Sequence, residues 1–231
     1  MKTIGLLGGM SWESTVTYYQ LLNRGVREKL GGLHSAKTLL HSFDFAQIEQ
    51  LQVQGEWEMA GDTLARAALN LQRCGADGVL LCTNLMHKVA AHIEAQIDIP
   101  LLHIADAAGL EIQRQGYRTV GLLGARYTME EEFYRGRLSE RYGIEVLIPE
   151  QEARHDIHRI IFDELCCGRF TDASRARYLE IIVELEQRGA QGMILGCTEI
   201  PLLIGPKDTE LPLFDTTALH AASALEFAFG E

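Results

Sequence analysis

Residues 75–84 read GADGVLLCTN, and residues 189–198 read GAQGMILGCT. The second stretch repeats the first at an offset of 114, so that Gly75 aligns with Gly189, Gly78 with Gly192 and Leu81 with Leu195. Two further pairs flank it in the same order. TIGLLGG at 3–9 matches TVGLLGA at 119–125 at an offset of 116, and IPLLH at 99–103 matches LPLFD at 211–215 at an offset of 112. An ordered repeat at nearly constant spacing predicts two copies of one supersecondary unit. The apolar runs at 3–8, 78–82, 119–124 and 192–196 are short and apolar throughout, as buried strands of a parallel sheet are. Longer stretches between them carry helical spacing: Thr15, Tyr19, Leu22 and Val26 up to Gly31-Gly32, then Trp57, Ala60, Leu64 and Leu71. Thr128 and Glu131 read as a capping box opening another helix. Strands alternating with helices give an α/β class. Two similar α/β halves are expected to face each other across a cleft at the carboxyl ends of their strands.

The composition narrows the function. Lys and Arg number 21 against 32 Asp and Glu, a formal charge of −11 that repels phosphate backbones and anionic lipid. Nucleic-acid and membrane partners are therefore not expected, and no stretch approaches the ~20 apolar residues of a spanning helix. The opening MKTIGLLGGMSWES is stopped by glycines too early for a secretion signal and reads as a first buried strand. The cysteines at 74, 82, 166, 167 and 197 are odd in number, scattered and free of a CxxC pair. That pattern suits a reducing, cytoplasmic setting and gives no metal site.

The repeat also separates two adjacent candidates. Without gaps, Cys82 falls on Gly196 and Thr83 on Cys197, so Thr83 is the counterpart of Cys197. Neighbours on a strand point to opposite sides, which sends Cys82 into packing if Thr83 faces the cleft. Cys197 precedes Thr198, Glu199 and Pro201, a composition suited to a strand-to-helix turn. A helix N-terminus there would draw the thiol pKa from ~8.5 toward neutrality and make it a base or nucleophile. Asn84 and Thr198 occupy equivalent positions and, with nearby backbone N–H groups, could hold a small carboxylate. The GGMSWES loop at 8–14 lets backbone approach a ligand but lacks the spacing of a dinucleotide fingerprint. His87 reads as a structural or surface histidine, and Cys166 and Cys167 as packing in an amphipathic helix.

Over essentially its whole length the chain resembles the aspartate/glutamate racemases, through GLLGGMSWEST at 5–15, CTNLMHK at 82–88, GARYTM at 124–129, IIFDELCCGRF at 160–170 and GCTEI at 196–200. The resemblance implies two pseudo-symmetric Rossmann-like subdomains, each a mostly parallel sheet flanked by helices, here 1–104 plus 214–231 and 105–213. It further implies a homodimer and an active site in the cleft that uses neither pyridoxal phosphate nor metal. Two opposed cysteines exchange the α-proton in that family. The second carries onto Cys197, whereas the first motif, C-N-T-x-H, aligns at Thr83, Asn84, Leu85, Met86 and His87. Threonine thus replaces a catalytic cysteine, and leucine a threonine. The small-molecule contacts the resemblance implies are Met10, Ser11, Gln52, Asn84, Leu85, Thr128 and Thr198. The expected activity is racemisation of aspartate, glutamate or a related polar amino acid through Cys197 and Thr83. A one-cysteine decarboxylase or isomerase, and an amino-acid-binding protein without turnover, are the alternatives.

Overall fold

A computed structural model describes residues 1–230 as two compact units. The first comprises residues 1–104 and the segment from His220 onward, and the second is Ala105–Leu219.

The first unit holds β1 (Ile4–Gly8), α1 (Trp12–Leu30), β2 (Thr38–Ser42), α2 (Phe45–Gln54), α3 (Trp57–Arg73), β3 (Gly78–Leu81), a 3-10 segment Leu85–Val89, α4 (Ala90–Glu94) and β4 (Leu101–Leu102). The second runs from α5 (Ile104–Arg114) through β5 (Thr119–Gly124), α6 (Arg126–Glu130), α7 (Glu132–Tyr142), β6 (Glu145–Leu147) and α8 (Gln151–Asp163). It continues with α9 (Asp172–Gln187), β7 (Met193–Gly196), α10 (Ile200–Leu203) and β8 (Leu213–Asp215), and α11 (Thr216–Phe229) returns the chain to the first unit.

Both sheets are parallel and four-stranded, ordered β2-β1-β3-β4 and β6-β5-β7-β8. Their registers reproduce the sequence repeat. Gly5 pairs with Val79 as Gly121 pairs with Met193, and Val79 pairs with Leu101 as Met193 pairs with Leu213. All three offsets of the repeat are therefore offsets between equivalent strands. The sequence puts residues 214–219 with the first half, whereas β8 pairs with β7 and the crossing falls after Leu219. Phe214 and Asp215 are simply the end of that last strand.

The strands are apolar because helices cover both faces of the sheet. In the first unit Leu7, Val79 and Leu81 join Ile48, Ala60, Leu64, Ala68 and Leu71 on one face. Ile4, Leu6, Leu80 and Cys82 join Tyr18, Leu22, Ala221 and Ala224 on the other. The helical faces shift slightly from the sequence expectation. Tyr18 is fully buried while Tyr19 is exposed, because Tyr18 with Leu22 and Val26 keeps the four-residue step onto the sheet. Trp57, at the first turn of α3, packs only in part, against Ala60 and its neighbours.

Candidate active site

In the first unit, the candidate residues gather at the carboxyl ends of β1 and β3. Gly9 has φ +87°, and its N–H donates to Thr15 Oγ1 at 2.8 Å, which turns the chain from β1 into α1. Met10 is buried there, and Ser11 caps α1 with its hydroxyl accepting from the Ser14 N–H. The Ser14 hydroxyl donates to the Cys82 carbonyl at 2.9 Å, fastening this loop to the end of β3. Cys82 is fully buried in the core, and burial pushes its thiol far above the usual range. It has no route to solvent chemistry. Thr83 is half-buried and followed by buried Asn84 and half-buried Leu85. Gln52 Nε2 lies 3.0 Å from Met86 Sδ, which brings the end of α2 onto the segment that follows Thr83.

In the second unit the equivalent position follows β7. Cys197 is half-buried, with Sγ 2.9 Å from Glu199 Oε2, and the Thr198 hydroxyl donates to the same oxygen at 2.7 Å. Thr198 therefore spends its hydroxyl on Glu199. Burial, then the Glu199 charge and hydrogen bond, raise the Cys197 thiol well above its usual value. This reverses the expected depression. The helix that follows, α10, is only four residues long, and a full carboxylate charge at hydrogen-bond distance outweighs its small dipole. The Cys197 thiol thus stands at hydrogen-bond distance from the Glu199 carboxyl group.

Thr128 sits over the ends of β5 and β7: a Cβ on Gly124 would lie 3.1 Å from the Gly196 carbonyl and 3.5 Å from Thr128 Cβ. Its hydroxyl is buried with no hydrogen-bond partner among the described residues. Thr128 does not cap a helix as expected, since α6 already opens at Arg126. Cys166 and Cys167 lie in an exposed 3-10 turn, Leu165–Cys167, rather than in a packed helix.

Two residues of this neighbourhood escaped the sequence reading. Glu199 was visible in GCTEI but served there only as turn composition. Tyr178, from α9, is fully buried, its hydroxyl has no partner among the described residues, and burial first, then Cys197, Cys166, Glu164 and Glu199, push its pKa well above the usual value. No local pattern marks it, because mid-helix aromatics are ordinarily core. Among the described residues no group of three or more His, Cys, Asp or Glu side chains could hold a metal ion. Nor, among the described residues, is any helix long and apolar enough to cross a membrane.

The Asp/Glu/Hydantoin racemase family pattern matches residues 7–224. The chain belongs to that family. A crystal structure of a Yersinia pestis protein, titled as a candidate Asp/Glu racemase, is 53% identical with a TM-score of 0.96, covering 99% of this chain and 100% of the other. An aspartate racemase homologue from Pyrococcus horikoshii is 34% identical, with a TM-score of 0.89 and coverage of 99% and 100%. The broad specificity amino-acid racemase RacX of Bacillus subtilis is 24% identical over 160 residues, 68% of this chain and 67% of the Bacillus protein. The Asp/Glu racemase fold of two parallel α/β units is thus this chain's own.

Proposed function

We propose that the protein is an amino-acid racemase working without pyridoxal phosphate on aspartate, glutamate or a related polar amino acid, with Cys197 moving the α-proton on one face of Cα and Thr83 on the other. The observation that carries this is the equivalence of the two residues: each follows the same strand of its sheet, one residue beyond Cys82 and Gly196 respectively, and those strands share a register. A homodimer working in the cytoplasm completes the reading, on the resemblance and the odd set of cysteines.

The geometry around Cys197 supplies the first step. Its proton moves to the Glu199 carboxylate 2.9 Å away, leaving a thiolate beside a neutral acid. The thiolate takes the α-proton of the enantiomer that faces it, and the electron pair spreads into the substrate carboxylate. The Thr83 hydroxyl then donates its proton to the opposite face of Cα and recovers one from water, and the proton left on Glu199 neutralises the hydroxide so formed. Thr128, Asn84, Thr198, Leu85, Met10 and Ser11 would hold the carboxylate and amine. Gln52 would meet the side chain. A neutral amide there accepts polar side chains without demanding a carboxylate.

An aliphatic hydroxyl is a far weaker acid than a thiol of reference pKa ~8.5, so Thr83 donates more readily than it abstracts. Proton exchange should therefore start easily from one enantiomer and slowly from the other. Enantiomers have equal free energy in water, so kcat/KM must still match in the two directions, with the asymmetry appearing in kcat and KM separately. The test follows L- and D-aspartate, glutamate and homoserine by proton NMR in D2O, with chiral analysis of each. Loss of the α-proton with inversion, abolished by Cys197→Ser, is expected. Full racemisation by Thr83→Ala, or no exchange with any of these substrates, would refute the reading.

A further inference from the structure

Directly behind Thr83 lies a buried set of three imidazoles, all within the first unit. His87, His103 and His220 are each at most 5% exposed, and the His87 ring centroid lies 4.5 Å from His103 and 5.6 Å from His220. Backbone groups decide the protons on two of them, His87 and His220. The Ile104 N–H can only donate, and it lies 3.2 Å from His87 Nε2, so Nε2 is bare. The proton of His87 is therefore on Nδ1, where it donates to the Thr83 carbonyl at 2.8 Å. The Leu102 carbonyl can only accept, so His220 Nε2 donates to it at 2.7 Å. That leaves His220 Nδ1 to accept from the Tyr18 hydroxyl at 2.9 Å.

His87 thus has both nitrogens committed, one to the residue proposed to reprotonate Cα and one to Ile104. The chain leaves the first unit just after Ile104 and re-enters it at His220, so the cluster sits on both crossings. We infer that His87 is a positioning residue: it fixes the Thr83 carbonyl and ties it to the crossing at Ile104, so that inversion, unlike exchange at the Cys197 face, depends on His87 remaining neutral. This rests on the roles of Thr83 and Cys197 proposed above.

A second proton on His87 would place an N–H against the Ile104 N–H and leave both without an acceptor. Burial, together with the facing imidazoles of His103 and His220, holds its pKa well below 6.5, whereas the backbone bonds at Thr83 and Asn84 act the other way. The groups facing it are His103 ahead of α5 and His220 on α11, with Tyr18 of α1 behind His220.

Two substitutions divide the two ties. His87→Asn puts an amide N–H near the Nδ1 position and keeps the bond to Thr83. His87→Gln puts an amide oxygen near Nε2 and keeps only the bond to Ile104. In D2O, the ratio of inverted product to α-proton exchange, starting from the enantiomer that faces Cys197, should fall on the order of tenfold in His87→Gln, as for loss of one buried hydrogen bond. It should be largely restored in His87→Asn. Equal ratios in wild type and His87→Gln would overturn the inference. Long-range proton–nitrogen spectra of the 15N-labelled wild type keep it testable even if a variant fails to fold: a neutral Nδ1–H tautomer at pH 7 is expected, and an Nε2–H or charged ring would also overturn it. Should wild type show no exchange at all, the racemase reading fails, while the spectra still report on His87.

Discussion

Cys197 is unusual in that its nearest polar partner is an anion. A carboxylate 2.9 Å away works against the thiolate, yet it is also the acceptor to which the thiol proton can go. The two effects separate on substitution. Glu199→Gln removes the charge while keeping an oxygen of similar reach, so the main electrostatic opposition to ionisation disappears and the thiol should ionise at lower pH. The measurement is the pH dependence of iodoacetamide labelling of the peptide containing Cys197, read by mass spectrometry so that the exposed Cys74, Cys166 and Cys167 do not interfere. A shift of the midpoint by about one pH unit or more toward acid is expected, the scale of a close like charge removed. A midpoint that stays or moves upward would mean that Glu199 does not govern this thiol. Buried Cys82 should stay unlabelled throughout the native state.

At the scale of elements, the β1-to-α1 turn depends on one glycine. Gly9 has φ +87°, and a Cβ there would lie 2.3 Å from the Phe43 carbonyl oxygen and 2.5 Å from the Phe43 nitrogen, both backbone. Nothing flexible can give way. Gly9→Ala should cost roughly 1–3 kcal/mol or more, combining left-handed strain with the clash, and should loosen Met10 and Ser11. Urea unfolding checks the first effect; a loss smaller than about 0.5 kcal/mol, the usual reach of a neutral surface change, would contradict it. This turn also shows what the sequence could reveal. Glycines after an apolar run mark a tight turn wherever they occur, and the repeat located both sheets because identical strand contexts demand similar residues. That positions 83 and 197 follow equivalent strands was legible for the same reason. Less legible was anything set by contacts distant in sequence. Whether Tyr18 or Tyr19 faces the sheet turns on a rotation of one residue, and Thr128 satisfies the pattern of a cap while lying inside α6. The sign of the Cys197 shift hinged on whether Glu199 folds back onto the sulfur or points away, a choice of rotamer that no periodicity records.

For the molecule as a whole, buried His87 is expected to set an acid limit. In the unfolded chain His87 takes up a proton near pH 6.5, whereas in the folded protein it resists until well below that value. Between those two points the unfolded state binds more protons, so stability rises with pH through the window. His87 therefore contributes stability that is fully present above about pH 6.5 and is lost as the pH falls toward the folded value. His158, lowered by burial and by the Arg126 charge, adds in the same direction, but it is less enclosed. Where His87 alone is protonated only on unfolding, the slope approaches about 1.4 kcal/mol per pH unit. His87→Gln starts from lower stability yet lacks that proton, so its unfolding free energy should fall less steeply on acidification. Urea titrations of both proteins at intervals from pH 7.5 to 5 measure the two slopes. A smaller slope for the variant is the expected result; parallel lines would mean that His87 is already charged in the fold, or protonates equally in both states, and that other groups set the acid limit.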